Sequence, residues 1–137
     1  MERLSRQTLA DVRAAVSGYR DVTLAGELAR GRELLRAAGI AADLPTAYDG
    51  VPPERQELFG WVVREGLTNV VRHARAGRCT VELTASCVEV RDDGVGGPAG
   101  AGSGLDGLRA RVTAAGGVLT AGPARPRGWS LRVEAPA

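Results

Sequence analysis

The chain has 137 residues, which is enough for one domain with a hydrophobic core and too few for two ordinary domains. Its 44% hydrophobic and 25% charged residues are typical of a soluble globular protein, and no apolar run approaches the roughly 18 residues that cross a bilayer. A net charge of only +2, scattered arginines and 4% aromatic residues argue against a nucleic-acid-binding surface. We therefore expect a cytoplasmic protein with one functional site, without nucleic-acid or membrane contact.

The hydrophobic pattern predicts an α/β fold. Apolar residues recur at three- and four-residue spacing where helices are predicted, and they alternate with polar residues where strands are predicted. In chain order the predicted elements are a helix over residues 5–19, a helix over 24–38, a strand over 40–44, a helix over 53–74, a hairpin with strands near 79–83 and 88–92, a helix over 105–115, and strands over 118–121 and 129–134.

The two cysteines, Cys79 and Cys87, lie in the two strands of the predicted hairpin. They form no CxxC pair, and no histidine is near enough in sequence to complete a metal site. We predict two free, partly buried thiols.

Four polar side chains on the long predicted helix form a stripe beside its apolar face. Glu65, Asn69 and His73 are four residues apart and Arg72 is beside them, so α-helical geometry places all four within an arc of about 100°. A carboxylate, an amide oxygen and basic groups in this arrangement suit a hydrated Mg²⁺ ion and the phosphates that it bridges. An ordinary solvated helix face explains the same pattern.

A second candidate feature is the glycine-rich sequence DDGVGG, which begins at Asp92 at the end of a predicted strand. Glycines such as Gly94 and Gly96 let the backbone approach a flat ligand closely. A carboxylate at the strand end can accept a hydrogen bond from an exocyclic amine such as that of adenine. A plain Asp-Gly turn is the alternative.

A third candidate feature is the sequence GSGLDG, which begins at Gly102 and leads into a predicted helix. Unpaired backbone amides at a helix start, together with the helix dipole, favour a bound phosphate. The letters also match the dinucleotide fingerprint GxGxxG, but that fingerprint follows a strand directly and this segment does not. A phosphate loop of the GxxxxGK type is absent because the chain has no lysine.

Taken in order, the three features resemble the N, G1 and G2 boxes of the ATPase superfamily that includes gyrase, Hsp90, histidine kinases and the MutL proteins. The stretches REGLTNVVRHARA and GSGLDGLRARVTAAGG are similar to one subclass of bacterial sensor histidine kinases, whose partners are response regulators with a helix-turn-helix output domain. The resemblance covers nearly the whole chain. It divides the chain into residues 1–21, the C-terminal end of a dimerisation helix, and residues 22–137, an ATP-binding catalytic domain.

The resemblance implies the Bergerat-type ATP-binding fold, a two-layer α/β sandwich in which helices cover one face of a mixed sheet, with ATP and Mg²⁺ as ligands. It assigns adenine recognition to Asp92, and magnesium binding and catalysis to Asn69 and Glu65. The other implied ATP-binding positions are Arg72, His73, Gly94, Gly96, Gly102, Gly104, Leu105 and Gly107. Arg72 and His73 stand where lysine and tyrosine are frequent in related kinases, and the lid over residues 97–103 is very short.

The reaction that the resemblance implies is transfer of the ATP γ-phosphoryl group to a histidine outside this chain, because the only histidine here is His73. The implied partners are the histidine-bearing dimerisation helices of the full-length kinase, whose sensor is often membrane-borne, and a downstream response regulator. One alternative is an anti-sigma factor of the same superfamily, which phosphorylates a serine. Another is a non-enzymatic interaction module, which is disfavoured because every box position is filled.

Overall fold

A computed structural model of the protein describes residues 22–95 and 102–136, without the side chains of residues 73, 74 and 102–104. The elements are α1 (Leu24–Ala37), β1 (Ala41–Asp43), α2 (Pro53–Asn69) with a π-helical turn after it (Val70–Ala74), β2 (Arg78–Leu83), β3 (Cys87–Asp92), α3 (Gly102–Ala114), β4 (Val118–Pro123) and β5 (Trp129–Glu134). The predictions for residues 1–21 and for Gly96 lie outside the described residues. Within residues 22–95 and 102–136, no helix is both long enough and apolar enough to cross a membrane.

The five strands form one mixed sheet in the order β1-β2-β3-β5-β4. The pairing of β1 with β2 is parallel, and the other three pairings are antiparallel. Side chains alternate between a buried face under the helices and a more exposed open face. Those on the buried face include Cys79, Val81, Val88, Val90, Leu119, Leu131 and Val133. The predicted two-layer α/β sandwich is therefore confirmed.

Helix α1 has clear start and stop signals. Thr23 is its N-cap, and the Thr23 hydroxyl accepts a hydrogen bond of 2.9 Å from the Gly26 backbone N–H. The chain leaves the helix through Gly39, whose φ of +76° is readily adopted only by glycine. Leu28 and Leu35 are buried on the face of α1 that packs against α2. The predicted helix is confirmed to within one residue at its end.

Helix α2 crosses the buried face from one end of the sheet to the other. Pro53 is its first residue, as predicted. The Arg55 guanidinium near its start donates hydrogen bonds to the carbonyl oxygens of Ala85, in the β2–β3 turn, and Pro136. Further along, a Cβ on Gly66 would lie 2.9 Å from the Cβ of Val90, so the helix backbone lies almost against the sheet there. The C-terminal end of α2 is therefore directed towards the end of the sheet where β3 finishes.

The α-helical conformation of this segment ends at Asn69, and Val70–Ala74 form a π-helical turn. The prediction of an α-helix to residue 74 was therefore wrong for the last five residues. A π turn replaces i→i+4 by i→i+5 hydrogen bonds, so α-helical spacing no longer relates the residues after Asn69 to those before it. Arg75 then ends the turn with a φ of +51°.

Helix α3 runs in the opposite direction along the sheet. Its last turn is closed by a hydrogen bond from the Gly117 N–H to the Val112 carbonyl, directly before β4. The Arg109 guanidinium donates to the Leu119 carbonyl at 3.3 Å, at the hairpin-turn end of the sheet. The start of α3 therefore lies at the other end, because its 13 residues span about as far as a six-residue strand. The helix begins at Gly102, three residues earlier than predicted.

Candidate functional site

Three elements meet at the end of the sheet where β3 finishes. β3 ends at Asp92, α2 is directed towards this end, and α3 begins here. The three sequence features thus lie at one edge of the sandwich, on its helical side. Residues 102 and 103, predicted as part of a lid over residues 97–103, belong to the first turn of α3. The lid was therefore predicted to extend too far along the chain.

Asp92 is buried at this edge, with 5% of its surface exposed. Among the residues that the structure describes, no other charged side chain is buried to this degree. Its Oδ1 accepts a hydrogen bond of 2.7 Å from the Gly94 backbone N–H, whereas its Oδ2 has no partner in the described part of the chain. Burial raises the pKa of the Asp92 carboxyl, the Gly94 hydrogen bond partly offsets this, and the nearby Asp93 charge adds to it. One oxygen is therefore held in place, and the other can accept a hydrogen bond from a ligand.

Asp93, which the sequence analysis did not single out, fastens the end of β3 to the start of β2. Its Oδ1 accepts backbone hydrogen bonds of 2.8 Å from Gly77 and 2.9 Å from Arg78. These bonds hold the pKa of the exposed Asp93 carboxyl below its ordinary value. Asp93 therefore fixes the backbone beside Asp92.

Gly128 is a second residue that the sequence analysis missed. It has a φ of +102°, and a Cβ built on it would lie 1.8 Å from the Asp92 carbonyl oxygen. The chain entering β5 therefore passes so close to the Asp92 backbone that no side chain fits between them. The neighbouring Arg127 donates from Nε to the Gly94 carbonyl at 3.4 Å. A glycine directly before a strand was the only signal in the sequence.

Glu65 and Asn69 lie on the last turns of α2, and both are half-buried. Neither side chain makes a hydrogen bond or an ion pair with another described residue, so no described side chain competes with a ligand for their oxygens. No cluster of three or more His, Cys, Asp or Glu residues occurs in residues 22–95 and 102–136. Two oxygen donors fit Mg²⁺, which keeps several waters and takes few protein ligands.

Arg72 and His73 lie in the π turn, and Arg72 is exposed. The expected arc of about 100° assumed α-helical spacing, so the predicted grouping of these two residues with Glu65 and Asn69 does not follow from the observed backbone. The side chain of His73 is not among those that the structure describes. The predicted contacts of Arg72 and His73 with phosphate remain predictions.

The positions predicted in the G2 box belong to α3. Gly102 and Gly104 are in its first turn, and Gly107 is in its second. Leu105 is buried in the hydrophobic core, so its side chain packs rather than faces a ligand. A Cβ on Gly107 would meet nothing within 4 Å, so packing within the described residues does not require a glycine there.

A cavity of about 410 Å³ opens near Asp92 and Asp93, but it is not where the predicted site residues meet. It is lined by Arg78, Thr80, Arg91, Asp92, Asp93, Arg125, Pro126 and Arg127. Thr80 and Arg91 are paired across β2 and β3 and point to the open face, opposite the helices. Neither Glu65 nor Asn69 lines this cavity, so we place the candidate site on the helical side of Asp92.

The fold is a two-layer sandwich, with a buried carboxylate at a strand end, oxygen donors near the end of one helix, and the start of a second helix at the same edge. This is the arrangement that the sequence resemblance implies for an ATP-binding catalytic domain. No family model matches the chain. The sensor histidine kinase YvfT of Bacillus subtilis is 34% identical over 128 residues, which cover 88% of this chain and 34% of that protein.

Solved structures have the same fold. The histidine kinase domain of the blue-light activated kinase EL346 of Erythrobacter litoralis superposes with a TM-score of 0.63 at 22% identity, covering 83% of this chain and 61% of that one. The ATP binding domain of PrrB from Mycobacterium tuberculosis gives 0.60 at 18% identity, covering 85% and 96%.

The chain is therefore homologous to sensor histidine kinases, and it has the fold of histidine kinase ATP-binding catalytic domains. It spans about a third of the length of the curated relatives that it matches.

Proposed function

We propose that the chain binds ATP with magnesium between the ends of α2, β3 and α3, and that it transfers the γ-phosphoryl group to a histidine outside this chain. The observation that carries the proposal is the burial of Asp92 at this edge, with Oδ1 held by Gly94 and Oδ2 left without a described partner. No observation favours the anti-sigma factor alternative.

Asp92 would recognise the base. A carboxylate accepts hydrogen bonds and donates none, so Oδ2 matches the exocyclic amine of adenine. Guanine carries a carbonyl oxygen at the corresponding ring position, and that oxygen would face the carboxylate without a hydrogen between them. The buried carboxylate therefore supports selection of adenine over guanine nucleotides.

Glu65 and Asn69 would hold the triphosphate end through magnesium, which neutralises charge on the phosphates when it is bound. Asn69 would supply an amide oxygen as ligand, and Glu65 would hold the ion or one of its waters. Arg72 and His73 would meet the phosphates from the π turn, since arginine supplies positive charge and several N–H donors to phosphate. The free backbone amides at the start of α3 would also face the phosphates.

The proposed reaction breaks the bond between the γ-phosphorus and the oxygen that bridges it to ADP, and it forms a bond from phosphorus to an imidazole nitrogen. ADP leaves, and the imidazole loses its N–H proton. The enzyme contributes mainly the positions of the phosphates and compensation of their charge. The acceptor would lie on the dimerisation helices of the full-length kinase, because His73 is the only histidine of this chain.

The role of the whole protein is part of the same proposal. The relatives are sensor kinases of which this chain spans about a third. The rest of the parent protein would carry the acceptor helices and a sensor, in many kinases a membrane-borne one. The domain would lie in the cytoplasm, and a response regulator would be its downstream partner.

The experiment that tests the proposal is calorimetric titration of the chain with ATP, with and without Mg²⁺. We expect modest affinity with magnesium and much weaker binding after chelation by EDTA, because Asn69 and Glu65 hold the triphosphate only through the ion. A titration with GTP under the same conditions is the control for the base. Equal ATP binding with and without magnesium, or none in either, contradicts the proposal.

A further inference from the structure

Trp129 stands beside the candidate adenine carboxylate. It is the first residue of β5, and in the antiparallel ladder it is directly opposite Asp92. Directly opposite residues of an antiparallel pair have Cβ atoms about 4.5–5.5 Å apart on the same face of the sheet. The indole ring therefore belongs to the immediate surroundings of the Asp92 carboxylate.

The ring lies on the helical face of the sheet. Trp129 alternates with Leu131 and Val133, and both of these are buried under the helices. With Cys79, Asp92 and Pro123 it forms the last row of side chains across the sheet. The next row inward is Val81, Val90, Leu131 and Ala121, all of which belong to the core or pack against it.

Trp129 differs from the core residues in its environment. It is only half-buried, and within the described residues it is not among the side chains that pack against the hydrophobic core. Alternation in the predicted strand over residues 129–134 places this residue on the same face as Leu131 and Val133, but it does not indicate a partner. A large aromatic side chain at the site edge, outside the core, leaves a ring surface available to a ligand.

We propose that Trp129 is a base-binding residue of the nucleotide site, whose indole ring forms a wall against which the flat face of the adenine base packs. The inference rests on the proposed function, since it assumes that Asp92 accepts the adenine amine. Asp92 and Trp129 then act on the same base, the carboxylate through its edge and the indole through its face.

This combination has a physical rationale. A base bound in a pocket gains affinity from contact with an aromatic ring, and removing such a ring lowers affinity on the order of tenfold or more. The ring also excludes water from the hydrogen bond between the carboxylate and the amine, which strengthens that bond. On the other side of Asp92, Cys79 is fully buried, so it offers no comparable surface.

The chain contains a matched control for a fluorescence experiment. Its other tryptophan, Trp61, lies two helical turns before Asn69, with the Arg111 guanidinium 3.9 Å from its ring centre. Arg111 belongs to the last turn of α3, so this stack lies towards the opposite end of the sheet from Asp92. The variant Trp61→Phe therefore leaves Trp129 as the only tryptophan. Any change in tryptophan emission then comes from the residue beside Asp92.

The experiment titrates Trp61→Phe with magnesium ATP, magnesium ADP and magnesium triphosphate while tryptophan fluorescence is recorded, and it repeats each titration by calorimetry. We expect both nucleotides to change the Trp129 emission and the base-free triphosphate to leave it unchanged. In the otherwise unchanged chain, Trp129→Ala should weaken ATP and ADP binding about tenfold, whereas Trp129→Phe should retain most of the affinity. Circular dichroism establishes that each variant is folded.

The outcomes separate this inference from the proposed function. If calorimetry detects ATP binding but Trp129 emission does not respond, or Trp129→Phe and Trp129→Ala bind as tightly as the unchanged chain, the inference is wrong and the proposed function stands. If no nucleotide binds to any folded variant, the proposed function itself fails. If Trp129→Ala does not fold, the emission of Trp61→Phe and the affinity of Trp129→Phe still decide the question.

Discussion

Asp92 combines burial with a negative charge, two properties that oppose each other in a stable protein. The substitution Asp92→Asn keeps an oxygen for the Gly94 N–H and replaces the other oxygen with an amide donor. That donor would face the adenine amine, and an unmatched buried polar group costs about 1–3 kcal/mol. We expect calorimetric affinity for both ATP and ADP to fall about tenfold or more. If GTP and ATP bind alike to the unchanged chain, Asp92 does not recognise the base.

The same substitution, which should lower the affinity for ATP and ADP, should not lower the stability of the fold at neutral pH. Burial raises the pKa of Asp92, so the folded protein holds this proton more tightly than the unfolded chain does. The carboxyl therefore favours folding below its ordinary unfolded pKa, and this contribution is lost as pH rises through the higher folded value. In urea unfolding at neutral pH, Asp92→Asn should be at least as stable as the unchanged chain. Its advantage should shrink as the pH falls through the raised folded pKa towards about 4, the ordinary aspartate value, and should change little below that.

The substitution Asp93→Asn, at the neighbouring residue, is the control, because its effect on stability should have the opposite sign. Backbone hydrogen bonds lower the pKa of Asp93, so its charged form favours folding above the ordinary aspartate pKa, and that contribution is lost as pH falls through the folded value. Asp93→Asn should therefore be less stable than the unchanged chain at neutral pH, and the deficit should shrink in acid. Parallel pH profiles for the two variants would contradict the assigned environments.

Gly128 should be needed for both folding and binding. The substitution Gly128→Ala places a methyl group against the Asp92 carbonyl and forces a φ of +102° on an L residue. We expect a loss of about 1–3 kcal/mol in the free energy of unfolding, with a further loss of ATP affinity because the Asp92 backbone must move. Gly122→Ala is the matched control, since its Cβ would meet nothing within 4 Å. Equal urea midpoints for the two variants would count against this close approach.

At the scale of the elements, the helices differ in how closely they approach their neighbours. A Cβ at Gly66 of α2 would meet Val90 at 2.9 Å, whereas one at Gly107 of α3 would meet nothing. Gly66→Ala should therefore cost about 1–3 kcal/mol by overpacking the sheet. Gly107→Ala should stabilise the chain by about 0.4–1 kcal/mol, because alanine restricts the unfolded chain and suits a helix interior.

Urea unfolding of both variants measures these effects, and ATP titration separates packing from function. If Gly107 has the ATP-binding role that the sequence resemblance implies, Gly107→Ala should bind ATP more weakly although it is more stable. Unchanged affinity in that variant would remove Gly107 from the site. A Gly66→Ala variant as stable as the unchanged chain would show that α2 can move away from the sheet at little cost.

The helices and strands could be predicted from sequence wherever the local spacing of apolar residues matches the side chains that are buried in the fold. Helix α1 followed from its leucine spacing and Gly39, and the hairpin followed from alternation around residues 84–86. The π turn after Asn69 could not be predicted, because the same residues read as α-helix and the choice between i→i+4 and i→i+5 bonds is made by packing.

Candidate site residues could be named from the sequence, but the residues that position them could not. Asp92 could be identified because a carboxylate followed by glycines at a strand end has a recognisable chemistry. Gly128 and Trp129 are distant from Asp92 in sequence, and only the pairing of β3 with β5 brings them to it. Cys79 proved fully buried rather than partly buried, and burial raises the pKa of its thiol to about 12. The hydrophobic pattern does not indicate which residues lie opposite each other in strands that are remote in sequence.

At the scale of the whole molecule, the proposed kinase lacks its acceptor. The chain spans about a third of its curated relatives, and its only histidine is His73. Incubated with labelled ATP, the chain alone should therefore acquire no stable phosphohistidine. Supplied with a separate dimerisation helix pair from its own full-length parent, it should phosphorylate that pair. The label should be acid-labile and stable to base, as expected for a phosphohistidine.

The rate of this trans reaction should be far below that of the linked kinase, because joining two reactants can contribute about 7–11 kcal/mol towards a reaction barrier. Folded variants of Glu65, Asn69 and Asp92 should each lose the reaction, since each would position ATP or its magnesium. Arg125→Ala is the control, because Arg125 is exposed and lies on the open-face side of Asp92. Arg127 is a poorer control, since it contacts the Gly94 carbonyl. Label on His73 itself would overturn the assignment of the acceptor, and label on a serine of an added antagonist protein would favour the anti-sigma alternative.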